Sequence, residues 1–164
     1  MLKIRKAEKT DIALIRSLAL VAFPATYKNI LTSEQIEYML DWMYSPASLL
    51  KQFENGHIYH IAEFDGKACA YTSVEKQGDT LWHLQKIYIL PEFQGKGFGR
   101  ILFENAVAFI KSVSPEANRL ELNVNRYNNA KKFYEKMGMY VATSGDFDIG
   151  NGFFMNDYIM ALDI

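Results

Sequence analysis

No intrachain disulfide can form in this chain, because Cys69 is its only cysteine among 164 residues. That scarcity fits a reducing compartment, and a cytoplasmic location is the expectation. Cys69 stands in an apolar-leaning stretch and reads as a small core hydrophobe rather than a reactive thiol. No run of about 18 apolar residues exists, so no membrane-spanning helix is expected. Excess charge of one sign is missing too: 18 Lys and Arg against 19 Asp and Glu leave a net charge of −1. Nothing in that balance calls for nucleic acid or an acidic membrane as partner. The N-terminal stretch MLKIRKAEKTDIALI breaks every apolar run with a charge, which argues against a secretion signal. The chain shows no repeat, low-complexity tract or linker, so residues 1–164 read as one domain with a real core.

What is present alternates between strand and helix patterns. LKIRKA (2–7) reads as a strand, and Thr10 and Asp11 offer cap chemistry to a helix with Ile12, Ile15, Leu18, Ala19 and Ala22 on one side. After Pro24, a second helix is expected from Ser33 to Tyr44, and a short third one after Pro46. HIYHIAEF and KACAYTSVEK flank Asp65-Gly66 and read as a hairpin, followed by a third antiparallel strand, TLWHLQKIYIL (80–90). A glycine loop then precedes a helix whose apolar stripe includes Phe98, Ile101, Leu102, Ala106 and Ile110. RLELNV (119–124) is a strand, NNAKKFYEKMG (128–138) a helix closed by Gly138, and YVATSG with FFMNDYIMALDI a closing strand pair. This order predicts a mixed, mostly antiparallel α/β sheet of six or seven strands with helices on both faces.

The loop Gln94-Gly95-Lys96-Gly97-Phe98-Gly99 is the most informative stretch. It lacks the hydroxyl after Lys96 that a P-loop needs, and Arg100 stands where a dinucleotide fingerprint needs a glycine. Between a strand and a helix start, small residues let consecutive N–H groups converge on an anion, and Lys96 and Arg100 add positive charge.

This loop resembles the Q/R-x-x-G-x-G/A signature of the GNAT superfamily of N-acetyltransferases. NNAKKFYEKMGM (128–139) resembles that family's second motif, and the order of elements agrees across residues 2–163. The segment FPATYKNILTSEQIEYMLDWMY (23–44) is similar to the bacterial PaiA-type branch, whose members acetylate polyamines. The resemblance implies acetyl-CoA as cosubstrate, with its pyrophosphate held by Gln94, Gly95, Lys96, Gly97, Phe98, Gly99 and Arg100. It implies that the backbone of Ile87, Tyr88 and Ile89 splays from the next strand at a bulge and binds the pantetheine amides. Asn128 would approach the cofactor, although the family's more usual asparagine position holds Tyr127 here.

Acetyl transfer needs a deprotonated amine, which costs about 4–5 kcal/mol at pH 7 for an alkylammonium. It also needs a proton for the leaving thiolate. Tyr134 corresponds to the family's general acid, although its helix face is shared with Ala130, Phe133 and Met137 and would also suit a core residue. The glutamate that many relatives carry on the cofactor strand is absent. His83 could relay a proton through water, Glu75 on the neighbouring strand is a rival, and water unaided is a third route. Glu34, Glu37 and Asp41 share one face of the second helix, as an attractor for a cationic amine or simply a solvated surface. Phe23 and Tyr27 could wall an acceptor pocket or staple the first helices together. The expected activity is transfer to a small-molecule primary amine such as a polyamine, in a ternary complex without an enzyme nucleophile. A non-catalytic acyl-CoA-binding module is the alternative. Edge-strand pairing into a homodimer is common in this fold, and nothing in the sequence decides it.

Overall fold

The computed structural model describes all 164 residues. Seven strands form one sheet in the order β1-β2-β3-β4-β5-β7-β6. The strands are β1 (Leu2–Lys6), β2 (Ile58–Phe64), β3 (Lys67–Lys76), β4 (Leu81–Ile89), β5 (Arg119–Asn125), β6 (Tyr140–Gly150) and β7 (Phe153–Asp163). Every neighbouring pair is antiparallel except β4 and β5. The helices are α1 (Ile12–Tyr27), α2 (Ser33–Tyr44), α3 (Pro46–Glu54), α4 (Phe98–Val113) and α5 (Ala130–Lys136). None is long and apolar enough to cross a membrane.

Local chemistry explains most boundaries. Asp65 and Gly66 both take positive φ, 50° and 82°, as a two-residue hairpin turn requires. Thr32 caps α2 by accepting from the Gln35 N–H at 3.2 Å, and Ser45 caps α3 just ahead of Pro46. At the start of α1 the side chain of Asp11 does not cap the helix. Its carboxylate accepts the Glu8 N–H at 2.8 Å and a two-pronged contact from Arg5 at 2.8 and 2.9 Å. α1 also runs through Pro24 rather than stopping before it. A proline leaves the carbonyl four residues back without a partner. That residue is Leu20, 42% exposed, so water can take the carbonyl and the helix continues to Tyr27. β6 is the other departure. It extends to Gly150, well beyond YVATSG, but as an edge strand largely in water it carries no apolar alternation to announce itself.

α1, α2 and α3 pack on one face of the sheet around Ile15, Phe23, Tyr44, Tyr59, Ile61 and Tyr71. α4 and α5 cover the other around Phe103, Ile110, Leu120, Leu122 and Met160. Cys69 is buried under α4 with Phe98 and Leu102, and burial raises its thiol pKa, so it behaves as a core residue. In β4 the regular alternation breaks at Gln85, where the register with β3 jumps from Val74↔Leu84 to Ser73↔Lys86. The extra residue re-aims the strand: Trp82 and Leu84 face α4, as do Ile87 and Ile89 beyond the bulge, while Lys86 and Tyr88 turn towards α1–α3.

That turn buries an amine. Lys86 is 7% exposed, donates to Gln52 Oε1 at 2.8 Å and the Tyr59 hydroxyl at 2.7 Å, and lies over the Tyr44 and Tyr59 rings at 4.9 and 5.2 Å. No carboxylate pairs with it, and burial pulls its pKa down to about 7. Below pH 7 both folded and unfolded chains carry this proton, so the burial penalty is fully present. Between about 7 and the unfolded value near 10.5 only the unfolded chain holds it, so this group favours the fold increasingly as pH rises. Wild-type protein should therefore gain on the order of 2 kcal/mol relative to Lys86→Met between pH 7 and 9. Paired urea titrations at the two pH values measure the difference, and parallel pH dependence in both proteins contradicts it.

Candidate active site

β4 and β5 are paired only over Leu81↔Arg119, Trp82↔Leu120 and His83↔Glu121. Beyond His83 the two strands part, and the β5-facing backbone of β4 is left without a strand partner. A cavity of about 1010 Å³ opens in the gap. Its walls are β4 from Leu84 to Ile89, β5 from Leu122 to Val124, the last turn of α1, the glycine loop and one side of α5.

At one end is the loop. Gly95 and Gly97 have φ of +77° and +80°, and Gly97 forms the left-handed N-cap of α4 without any side-chain cap. Both have open space where a Cβ would stand, so backbone conformation rather than crowding requires glycine there. None of the amides from Gly95 to Arg100 donates to a protein acceptor. These converging free N–H groups at the start of a 16-residue helix are the arrangement that binds a phosphate. Gly99 is constrained differently: a Cβ would meet the Phe133 ring at 3.3 Å, so its smallness sets the approach of α4 to α5.

The expected cofactor residues mostly gather here. Ile87, Tyr88 and Ile89 line the gap, as do Gly95, Gly97, Phe98, Gly99 and Arg100. Gln94 also lines it, but its amide is occupied in donating to the Ile89 carbonyl at 3.1 Å, tying the loop to the end of β4. Lys96 is exposed beside the loop and lies outside the cavity wall. Asn128 lines the wall while its Oδ1 accepts the Ala130 N–H at 2.9 Å, holding the first turn of α5.

Tyr134 is 8% exposed, lines the gap, and its hydroxyl has no protein partner. Burial holds its pKa well above the ordinary phenol value, so it keeps its proton. His83 is not brought into the cavity. It lies level with the last β4–β5 pair, below the point of parting, on the face it shares with its cross-strand neighbour Glu75. Burial lowers its pKa, with Glu121 and Glu75 opposing. Glu75 is committed elsewhere: it accepts from Gln85 at 2.9 Å and from Gln77 at 3.1 Å, and pairs with His57 at 3.1 Å. Glu34, Glu37 and Asp41 are exposed on the outer side of α2 and do not line the cavity. Phe23 is core, packed against Tyr27 at 4.7 Å, whereas Tyr27 itself reaches the cavity wall. The sequence reading did not single out Asn123, which lines the gap from β5; an asparagine in a strand pattern carries no spacing signal.

The sequence profile of the Acetyltransferase (GNAT) family matches residues 23–139, spanning both the loop and α5. The chain belongs to this family. As a GNAT member it is an N-acetyltransferase with acetyl-CoA as cosubstrate. It is 26% identical over 157 residues to an uncharacterized N-acetyltransferase of Mycobacterium bovis, covering 94% of this chain and 99% of the relative. Its fold is similar to the PaiA N-acetyltransferase of Thermoplasma acidophilum, solved with coenzyme A, at TM-score 0.82 and 24% identity, covering 100% and 99% of the two chains. The ribosomal-protein-S18-alanine N-acetyltransferase of Escherichia coli is similar at TM-score 0.75 and 22% identity, covering 100% and 94%.

In this GNAT chain the Gly97 geometry makes a graded test. Gly97→Ala should cost about 1 kcal/mol of stability through its positive φ alone, with the cradle amides still in place. Gly97→Glu should abolish coenzyme A binding if the pyrophosphate is held on these amides, because a carboxylate there would repel it. Thermal shift with coenzyme A, against ATP as control, reads both. Undiminished stabilisation of Gly97→Glu by coenzyme A would place the pyrophosphate elsewhere.

Proposed function

We propose that this protein transfers the acetyl group of acetyl-CoA to the primary amine of a small molecule such as a polyamine, by direct attack in a ternary complex. The observation that carries this reading is the parting of β4 from β5 directly above the free-amide cradle, with the Tyr134 hydroxyl unpartnered in the same gap.

The pyrophosphate lies on the amides of residues 95–100, with Arg100 at its side. The pantetheine arm runs along β4, its amides completing the hydrogen bonds that β5 does not make with Ile87, Tyr88 and Ile89. This sets the thioester in the gap beside Tyr134. The acceptor enters from the opposite side, past Tyr27 and the turn that follows α1. Attack by the neutral amine forms the C–N bond, the C–S bond breaks, and Tyr134 gives its proton to the departing sulfur. The nitrogen releases its remaining surplus proton, which restores the phenol through solvent.

No aspartate or glutamate lines the cavity, and His83 lies below it, so water in the open gap takes the first proton from the ammonium. The rate should then follow the free-amine fraction. With spermidine as acceptor, kcat/KM should rise about tenfold per pH unit through the neutral range, without levelling near a histidine pKa. A plateau between pH 6 and 7 that His83→Gln removes would instead make His83 the base.

Thiol release from acetyl-CoA across a panel of polyamines, amino acids, aminosugars and peptides identifies the acceptor. Tyr134→Phe should leave coenzyme A affinity unchanged and lower kcat by about 10²-fold or more. Full turnover in that variant removes Tyr134 from the acid role. Coenzyme A binding without thiol release from any amine in the panel favours a non-catalytic acyl-CoA-binding module.

A further inference from the structure

The acceptor half of the gap carries a second polar arrangement. Asn123 on β5 is exposed in the cavity wall, and its Nδ2 donates to Asp157 Oδ2 at 3.3 Å. Asp157, on β7 opposite Asn125, is only 6% exposed. Its other oxygen, Oδ1, is buried without any hydrogen-bond partner. No lysine, arginine or histidine forms an ion pair with it. Arg126 acts on it only through space, being tied to Asp146 at 2.7 Å and to the Gly145 carbonyl at 3.0 Å. A buried carboxylate lacking a cation and one hydrogen bond is costly to a fold, and such a group calls for an explanation.

The pair also fixes an orientation. A carboxylate only accepts hydrogen bonds, so the amide tip facing Asp157 must be Nδ2, and the Asn123 Oδ1 is the tip left for the cavity. The wall therefore offers one acceptor oxygen with a buried carboxylate behind it that no cation contacts directly. The cations that line the cavity, Lys28, Lys86, Arg100 and Lys136, supply no such feature.

We propose that Asn123 and Asp157 form the subsite for the acceptor's primary ammonium, with Asn123 Oδ1 touching the nitrogen and Asp157 orienting the amide and supplying the charge. This rests on the acetyl-transfer reading above and deepens it. Asp157 is a positioning residue that draws the charged form of the amine to the wall. After water removes one proton, a remaining N–H keeps its bond to Asn123 Oδ1, and the nitrogen lone pair is left free to face the thioester. The subsite favours acceptors with an unhindered primary ammonium over neutral or anionic nucleophiles.

The charge makes the subsite dependent on pH. Burial raises the Asp157 pKa above the ordinary carboxylate value, opposed by the hydrogen bond from Asn123 and the field of Arg126. The other charged or titratable groups around it are Asp146, paired with Arg126, and Tyr27 of α1, whose own pKa is raised by burial. Protonation of Asp157 therefore weakens acceptor binding on the acid side and leaves acetyl-CoA binding alone.

Two measurements test this. The first is steady-state kinetics with spermidine. Asp157→Asn and Asn123→Ala should each raise KM for spermidine by about tenfold or more, with KM for acetyl-CoA within about twofold of wild type. Asp157→Asn should also flatten the acid-side rise of the spermidine KM, which a merely structural role would not do. The double variant should be no worse than the weaker single one, because the two residues act as a unit. An unchanged spermidine KM in both single variants overturns the proposal.

The second measurement does not require turnover. Propylammonium chloride is titrated into wild-type protein saturated with coenzyme A, and the Asn123 side-chain amide is followed by NMR. Saturable shifts that sodium chloride does not produce support the subsite. Their absence overturns it, even if the enzyme acetylates an amine by another route. Saturable shifts in a protein that releases no thiol would leave the subsite standing and remove the acetyl-transfer reading.

Discussion

β4 and β5 share three residue pairs, and the backbone of β4 beyond them has no strand partner on that side. Backbone groups freed by the parting face an open cavity, where water or a bound chain can complete their hydrogen bonds. Here the gap is rigid because each strand is held from behind. β4 is paired to β3 as far as Ala70↔Ile89, and β5 to β7 as far as Asn125↔Asp157. The unpaired edge is thus presented in a fixed shape and can take an extended, amide-bearing arm in place of a strand. The free-amide loop, the Tyr134 phenol and the β5 side chains facing the cavity all border this one divergence.

The bulge at Gln85 follows from the same constraint. It switches which face of β4 each side chain serves, so that Ile87 and Ile89 join the α4 side while Lys86 and Tyr88 enter the aromatic layer under α1–α3. That layer, with Tyr44, Tyr59 and Tyr71 nearly or fully excluded from water, supports the cavity from beneath. It also accounts for the lone buried amine. Lys86 finds carbonyl, phenol and ring-face partners there that take its N–H groups without a carboxylate, while burial away from water is what lowers its pKa.

Much of this was legible in the residues. The loop, the Asp65-Gly66 hairpin and the bounds of α2 rest on local rules of φ, capping and periodicity, and these hold within a few residues of chain. What was not legible depended on non-local context. Whether α1 ends at Pro24 turns on whether water reaches the Leu20 carbonyl, which depends on the packing of the whole helix. His83 lies on an apolar strand close to the cofactor residues in sequence, yet the strands part only after it, and where two strands part is written in neither of them alone. The β6 strand went unread beyond Ser144 and Gly145 because an edge in water needs no alternation. Asn123 and Asp157 meet only because β5 and β7 are neighbours, across 33 intervening residues of chain.

The contact between Gly99 and the Phe133 ring joins parts of the molecule that otherwise look separate. Gly99 belongs to the first turn of the helix whose start forms the phosphate cradle, and Phe133 is the chain neighbour of Tyr134. Any widening between α4 and α5 therefore displaces the Tyr134 phenol relative to the free amides of the glycine loop. On the proposed reading, the two ends of a long, flexible cosubstrate would be gauged against each other by one glycine-to-ring contact. A defect at that contact would show itself as lost alignment in catalysis, with the grip on the nucleotide end intact.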